Sequence, residues 1–425
     1  MQTYYQNISS KSIFGDKRLT NRFGVVLESL NMQISNSISL NQTTNNEQAG
    51  FYRFMNNSKV THERIILTSH DCTRRWAARS DSKVILSIND TTEANDTGQP
   101  VASKIGCLSQ DYQKGYFVHS QLLMDENALC QGIYYQDIWS RDPKTIGAAR
   151  KNTKRDNRPF EERESYRWVA GFERLNADFA HLTDKTFIHI GDRETDLFEL
   201  LAAPRKAHIH YLFRAKFDRK INESEKLFAH IGTLPLRGII NAKIPVKDKN
   251  HVKRDATLEI RYTSATFSAN GFTTKNQDDK LATANFIEIK EINAPDDVEP
   301  IHWRLLTSLP IDTFELALNT LKYYLLRWRI EEFHVILKQG CAIEKLTYEE
   351  PSAICNLIAT YSIIAAKILN FRYIYDECPN EPIEIIGFSV QNYNTIAQYL
   401  THKTKTKVEQ KLNKSPSLRL PSSSC

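Results

Sequence analysis

The sequence predicts a mixed α/β chain: an α/β core that carries a β-rich insertion, with a helical domain before it and helices after it. Three observations carry this expectation. Short runs of Val, Ile and Leu bounded by polar turns read as buried strands. The run KTFIHIGDRETDLFELL passes straight from a strand into a helix start, as α/β folds do. Long segments without Gly or Pro, rich in helix formers, lie at both ends.

Taken in order, residues 1–75 read as helical, with Asn- and Ser-rich connections. Nine basic residues there face five acidic ones, an excess of four. A basic helical module with Ser, Thr and Asn donors suits a DNA backbone, and it equally suits a small cap packed on the next domain. The pattern changes at Ser82, where KVILSIND (83–90) reads as a buried strand ending on Asp90. The runs 115–124 and 128–139 read as two more strands, which makes an antiparallel meander with Asp90 on its first, central strand. Residues 141–168 form a charged linker with a basic cluster at Lys151, Lys154, Arg155 and Arg158, read as a solvated loop or as a DNA-contacting one. A helix over Ser165–His181 follows, and then the strand that ends on Asp192, where open α/β sheets place their chemistry. In the next strand, 208–217, Arg214 and Lys216 share a face by period two. Residues 218–310 are β-rich and read as an inserted sheet.

The stretch Leu321–Gly340 has no Gly or Pro before Gly340 and reads as one uninterrupted helix with Gly340 as its C-cap. At about 100° per residue, Tyr324, Arg327, Glu331 and Lys338 fall near relative angles of about 0°, 300°, 340° and 320°, on one polar stripe. Leu321, Leu325, Trp328, Phe333, Ile336 and Leu337 remain to bury the helix. A carboxylate among a phenol, a guanidinium and an ammonium can hold a metal ion while its neighbours hold phosphate oxygens. The same spacings also describe ordinary surface ion pairs.

Length and charge bound the rest. A chain of 425 residues has room for two or three domains, and its net charge of +6 leans mildly towards polyanions. Seven cysteines with no C-x-x-C pair argue against a disulfide framework or a zinc site and suit a reducing cytosol. The N-terminus has no apolar signal-peptide core, and the apolar run Tyr361–Leu369 is short and interrupted by Lys367, so no membrane partner is expected.

Three carboxylates stand at privileged places: Asp90, Asp192 and Glu331. Brought together, they would suit a pair of hard divalent ions that activate a water or a 3′-hydroxyl for in-line phosphoryl transfer. With Asp90-Thr91-Thr92, Gly191-Asp192-Arg193-Glu194, the Tyr-x₂-Arg-x₃-Glu-x₆-Lys run at Tyr324, Arg327, Glu331 and Lys338, the surrounding Arg327–His334 segment, GDKRLTNR, YRFMNN and Trp303 in HWRLLTS, the chain resembles the insertion-sequence-four family of bacterial DDE transposases, in its Tn-five-like branch. The resemblance extends to about residue 375.

That resemblance implies an RNase H-like, retroviral-integrase-like catalytic domain over 76–375 with the β insertion at about 218–310, an end-recognition domain at 1–75, and a short tail at 376–425. It implies Asp90, Asp192 and Glu331 as ligands of Mg²⁺, with Mn²⁺ as a substitute. Tyr324, Arg327 and Lys338 would grip phosphates near the cleaved end, and Trp303 would stack a flipped base or, alternatively, fill the core of the inserted sheet. Arg214 and Lys216 would be further DNA contacts or surface ion pairs. The implied partners are double-stranded DNA, as transposon ends and target, and a second copy of the chain in a homodimeric synaptic complex in the bacterial cytoplasm, at the nucleoid. The implied reaction is cut-and-paste transposition by nicking, hairpin formation and strand transfer.

The carboxyl end departs from that family. Ser417-Leu418-Arg419 is followed by Leu420-Pro421 and a Ser-rich end, where relatives carry Ser-Leu-x-Trp-Ala, a Gly-Gly turn and further helices. The expectation is a truncated or frame-shifted copy. The rival readings are a transposition-incompetent regulator that binds DNA ends and a plain RNase H-like nuclease.

Overall fold

The computed structural model describes residues 8, 14–36, 45–142, 158–221, 225–245, 253–268, 281–296 and 298–377. In chain order the elements are α1 (Lys17–Asn36), α2 (Asn45–Met55), α3 (His62–Arg79), β1 (Val84–Asn95), β2 (Gly115–Asp125), β3 (Cys130–Trp139), α4 (Tyr166–Asp178) and β4 (Thr186–Gly191). There follow α5 (Phe198–Leu201), β5 (Ile209–Arg214), α6 (Leu227–Thr233), β6 (Gly238–Pro245), β7 (Lys253–Ser268), β8 (Leu281–Ile292), β9 (His302–Thr307), α7 (Phe314–Leu325), α8 (Trp328–Val335) and α9 (Pro351–Glu377). Lys151, Lys154 and Arg155 of the basic linker, and the tail beyond Glu377, lie outside the described residues. The chain divides into two units: residues 1–81, 90–154 and 329–425 form the first, and residues 82–89 and 155–328 the second.

In the first unit, α1 buries Phe23, Val26, Leu27 and Leu30, the i, i+3, i+4, i+7 set of one helical face. Phe23 meets Phe54 of α2 in a stack at 5.9 Å, and Phe14 meets Phe23 edge-on at 5.5 Å, so one aromatic cluster ties the N-terminal helices together. Helix α3 starts at Thr61, whose hydroxyl accepts the N–H of Arg64. Thr61→Ala is expected to cost about 1 kcal/mol, read as a lowered midpoint of urea unfolding. The turn between α2 and α3 is held by the buried Asn356 of α9, which donates to the carbonyls of Met55 at 2.9 Å and Val60 at 2.8 Å. Strands β2 and β3 pair antiparallel, and the Asp90–Asn95 half of β1 gives the order β3-β2-β1. Helices α3 and α9 pack on β3.

Helix α9 is long and apolar enough over Pro351–Asn370 to cross a membrane, a length that Lys367 disguises in the sequence, and 94% of that window is buried inside the protein. It is the core helix of its unit, apolar on all sides because α3, β3 and the N-terminal helices surround it.

The second unit is built on a sheet of order β1-β4-β5-β9-β8-β7-β6, to which β1 contributes its Val84–Asn89 half. Strands β1, β4 and β5 are parallel, with Ile88 opposite Ile190 and Ile190 opposite Leu212. Their near-continuous apolar sequences reflect burial on both faces. Helix α4 covers β4 and β5, with Phe172 packed edge-on against His189 and Tyr211, while Phe179, just past the helix, stacks on Phe187 at 4.3 Å. The β-rich stretch expected over 218–310 does form strands, but not as a separate sheet. Strand β9 pairs antiparallel with β5, and β8, β7 and β6 follow, so the insertion extends the edge that β5 would otherwise expose.

The helix expected over Leu321–Gly340 is not continuous. Helix α7 ends at Leu325, and the N–H groups of Leu326 and Arg327 bond back to the carbonyls of Tyr323 at 3.2 Å and Tyr324 at 3.0 Å, the tighter i→i+3 pattern. Helix α8 then ends in a π-turn, Ile336–Gly340, closed by Cys341 N–H to Ile336 carbonyl at 2.8 Å, and Ala342, not Gly340, takes the left-handed conformation. A constant 100° per residue therefore does not hold across these two irregularities. Tyr324 is buried, and Leu325 and Trp328, expected to be buried, are 51% and 59% exposed.

Candidate nucleic-acid interface

Asp192 stands directly past β4, where it caps the short turn Arg193–Thr195, its Oδ1 accepting the N–H of Glu194 at 2.7 Å. The turn closes this tightly because residue 191 is glycine. A Cβ there would lie 1.8 Å from the Thr195 hydroxyl. On the neighbouring strand, Arg214 ends β5 and donates to the carbonyl of His302 at 3.3 Å. Its guanidinium lies 6.0 Å from the Trp303 ring centre, and Trp303 on β9 meets Tyr324 of α7 edge-on at 5.9 Å.

Electrostatics extends this group. Burial pushes the Tyr324 phenol up to about 12, with the charges of Arg327 and Arg214 pulling it down and that of Asp192 pushing it up. The Arg214 guanidinium is held below its ordinary value, first by burial and then, against the favourable Tyr324 and Asp192, by the positive charges of Arg193 and Arg327. The second unit therefore brings Asp192, Arg214, Trp303, Tyr324 and Arg327 into one neighbourhood, and adds Arg193. The sequence reading left Arg193 out of the site, although it directly follows Asp192 in the motif already singled out. Three guanidiniums around one carboxylate and one neutral phenol make a net positive, partly desolvated surface. Such a surface prefers a phosphodiester, which offers two acceptor oxygens and one negative charge to the guanidinium fork.

Lys216 and the residues of the first unit complete the expected set. Lys216 falls beyond the end of β5, so the period-two pairing with Arg214 breaks, and its ammonium lies 5.6 Å from the ring of Phe217. In the first unit, Asp90 Oδ1 accepts the N–H of Thr91 at 2.8 Å, and Thr91 Oγ1 lies 2.9 Å from His119 Nδ1. Glu331 is on α8, and Lys338 in the π-turn lies 3.9 Å from Glu344, whose Oε1 also accepts the N–H of Asn95 at 3.0 Å. Asp90 and Glu331 thus belong to one unit and Asp192 to the other. Among the described residues, no three His, Cys, Asp or Glu side chains are grouped so as to hold a metal ion.

Comparison with known proteins adds two findings. Among solved structures, the chain is similar to piggyBac transposase in a synaptic complex with hairpin DNA, at 8% identity and a TM-score of 0.36, with 94% of this chain and 74% of that chain covered. A likeness at that level decides neither fold nor function. Residues 1–60, the stretch that holds α1, α2 and their aromatic cluster, match the family model described as Transposase DNA-binding.

Proposed function

We propose that the chain is a DNA transposase that cuts and joins DNA by phosphoryl transfer. The observation that carries this is the match of residues 1–60 to a transposase DNA-binding module. The cluster around Asp192 supports it with a surface whose chemistry suits a DNA backbone.

The roles follow from side-chain chemistry. Arg214 and Arg327 offer forked donors to phosphate oxygens, Lys338 a point charge and Tyr324 a hydroxyl that stays protonated at neutral pH. Trp303 offers a face to an unstacked base, which offsets part of the cost of taking that base out of the helix. Asp90, Asp192 and Glu331 are the residues that would hold Mg²⁺ or Mn²⁺, since three carboxylates supply the hard oxygen donors these ions take. A backbone N–H fixes the direction of the Asp90 carboxylate, and another that of Asp192. Bound there, the ions would neutralise phosphate charge and lower the pKa of an attacking water or 3′-hydroxyl. Nicking, hairpin formation and strand transfer are all in-line attacks on phosphorus, so one site serves the whole sequence, acting on transposon ends and target DNA within a homodimeric complex.

The test is to incubate the purified protein and Mg²⁺ or Mn²⁺ with a labelled duplex carrying the terminal repeat beside its own gene, and with an unrelated duplex of equal length. A nick or hairpin at the repeat boundary is expected. Equal cutting of both duplexes would make it a general nuclease, binding without cutting would make it an end-binding regulator, and no binding would end the proposal.

A further inference from the structure

We propose that Asp196 is a positioning residue of this site, joining the segment that carries Asp192 to the loop that follows Arg214. The inference rests on the transposase reading above and adds a residue to it.

The Asp196 side chain is fully buried, four residues past Asp192. Its Oδ2 accepts two consecutive backbone N–H groups, Lys216 at 2.6 Å and Phe217 at 3.0 Å. Its Oδ1 lies against the Arg219 guanidinium, where the two meet as charges without hydrogen-bond alignment, and the Asp196 carbonyl accepts a second Arg219 nitrogen at 3.4 Å. One carboxylate therefore takes up the backbone of residues 216–217 and, through Arg219, the far end of the same loop. That loop is fastened further at both sides. Ala215 N–H bonds to the Arg304 carbonyl of β9 at 2.8 Å, next to Trp303, and the Arg219 carbonyl accepts Leu227 N–H at 2.9 Å at the start of α6.

A buried ion pair is an expensive way to stabilise a fold. A well-packed apolar group of similar volume often does as well, and in some proteins the charge is retained because it specifies one arrangement. Here it specifies the direction in which the chain leaves β5, and with it the placing of Arg214 and Lys216 relative to the Asp192 turn. Displacement of a binding group by about 1 Å costs on the order of 100-fold in rate when positioning supplies the catalysis.

The experiment uses the full chain, Mg²⁺ and the terminal-repeat duplex, with cleavage rate at saturating DNA and the dissociation constant measured separately. Asp196→Ala is expected to lower the saturating rate roughly 100-fold while changing affinity by less than about fivefold. Asp196→Asn keeps an oxygen for the two N–H groups and is expected to recover at least about tenfold of that loss. Titration of active molecules with excess duplex separates a slower site from a smaller folded fraction. If Asp196→Ala does not fold, Asp196→Asn carries the test, with an expected loss of about tenfold in rate at unchanged affinity. Rates that merely track the folded fraction, Asn no better than Ala, wild-type rates in the variants, or failure of both to fold would each overturn the inference. A wild-type chain that does not cut would instead bring down the transposase reading, and this inference with it.

Discussion

Asp192→Asn and Glu331→Gln, made singly, are expected to lower divalent-dependent cleavage of the terminal-repeat duplex on the order of 1000-fold, while binding of that duplex stays within about threefold of wild type. The two effects separate because different groups supply them. On the proposed reading, affinity comes from cations and donors: Arg193, Arg214, Tyr324 and Arg327 around Asp192, together with the N-terminal module that matches residues 1–60. The amide in Asp192→Asn is isosteric and can still accept the Glu194 N–H, so the turn after β4 should persist. It also removes a negative charge from beside Arg214 and Tyr324, which makes the surface more positive. DNA binding by Asp192→Asn should therefore be slightly tighter than wild type at low salt. What the substitution takes away is the second anionic oxygen, the donor a divalent ion needs. Loss of binding in step with loss of cutting would mean that these carboxylates hold the fold and not the chemistry. Unchanged cutting in either variant would remove that residue from the site.

The strands that carry Asp90 and Arg214, and the strand that ends just before Asp192, are legible in the sequence. Runs such as VILSIN and TFIHIG are mostly apolar, with Ser87, Asn89 and His189 buried among their Val, Ile, Leu and Phe residues, so they announce burial on both faces, and Asp192 directly follows the second run. Arg214, on the adjacent parallel strand, is legible for the same reason. The helix that follows the sheet misleads for an equally physical reason. Nothing in LKYYLLRWRIEEFHVILKQ marks a break, because i→i+3 bonding at Leu326 and Arg327 and an i→i+5 turn near Ile336 need neither Gly nor Pro. Each shifts the phase of the helix, so residues after it no longer follow a steady 100° per residue. The pairing of β9 with β5 is hidden as well, since edge choice depends on partners some 90 residues apart and leaves no local pattern. The Asp196 clamp is invisible for a third reason. A buried carboxylate and an exposed one look alike until the donors that face it are known.

Asp96→Asn is expected to stabilise the protein, and increasingly so as pH rises. Asp96 follows β1, its side chain is buried, and its Oδ2 finds no hydrogen-bond partner among the described residues. Burial pushes its carboxyl up from the ordinary 3.8 to about 7, and the negative charge of Glu344 adds to the shift. The other titratable groups that feel Asp96 are Tyr116 and Cys355, both held protonated by burial, while Lys338 lies 3.9 Å from Glu344. A carboxyl whose pKa is higher folded than unfolded holds its proton more tightly in the folded state. Its contribution is therefore most favourable below about pH 4, declines as pH rises, and is fully lost above about pH 7. The amide does not titrate, so the stability gap between Asp96→Asn and wild type should widen by about 2–3 kcal/mol from about pH 5 to about pH 8. Taking the difference cancels groups common to both proteins, including the half-buried His62, whose lowered pKa acts in the opposite direction as pH falls. Urea unfolding of both proteins across that range measures the gap. A constant gap would mean that Asp96 is charged in the folded state, and a gap that narrows towards pH 8 would mean that a cation neutralises it there.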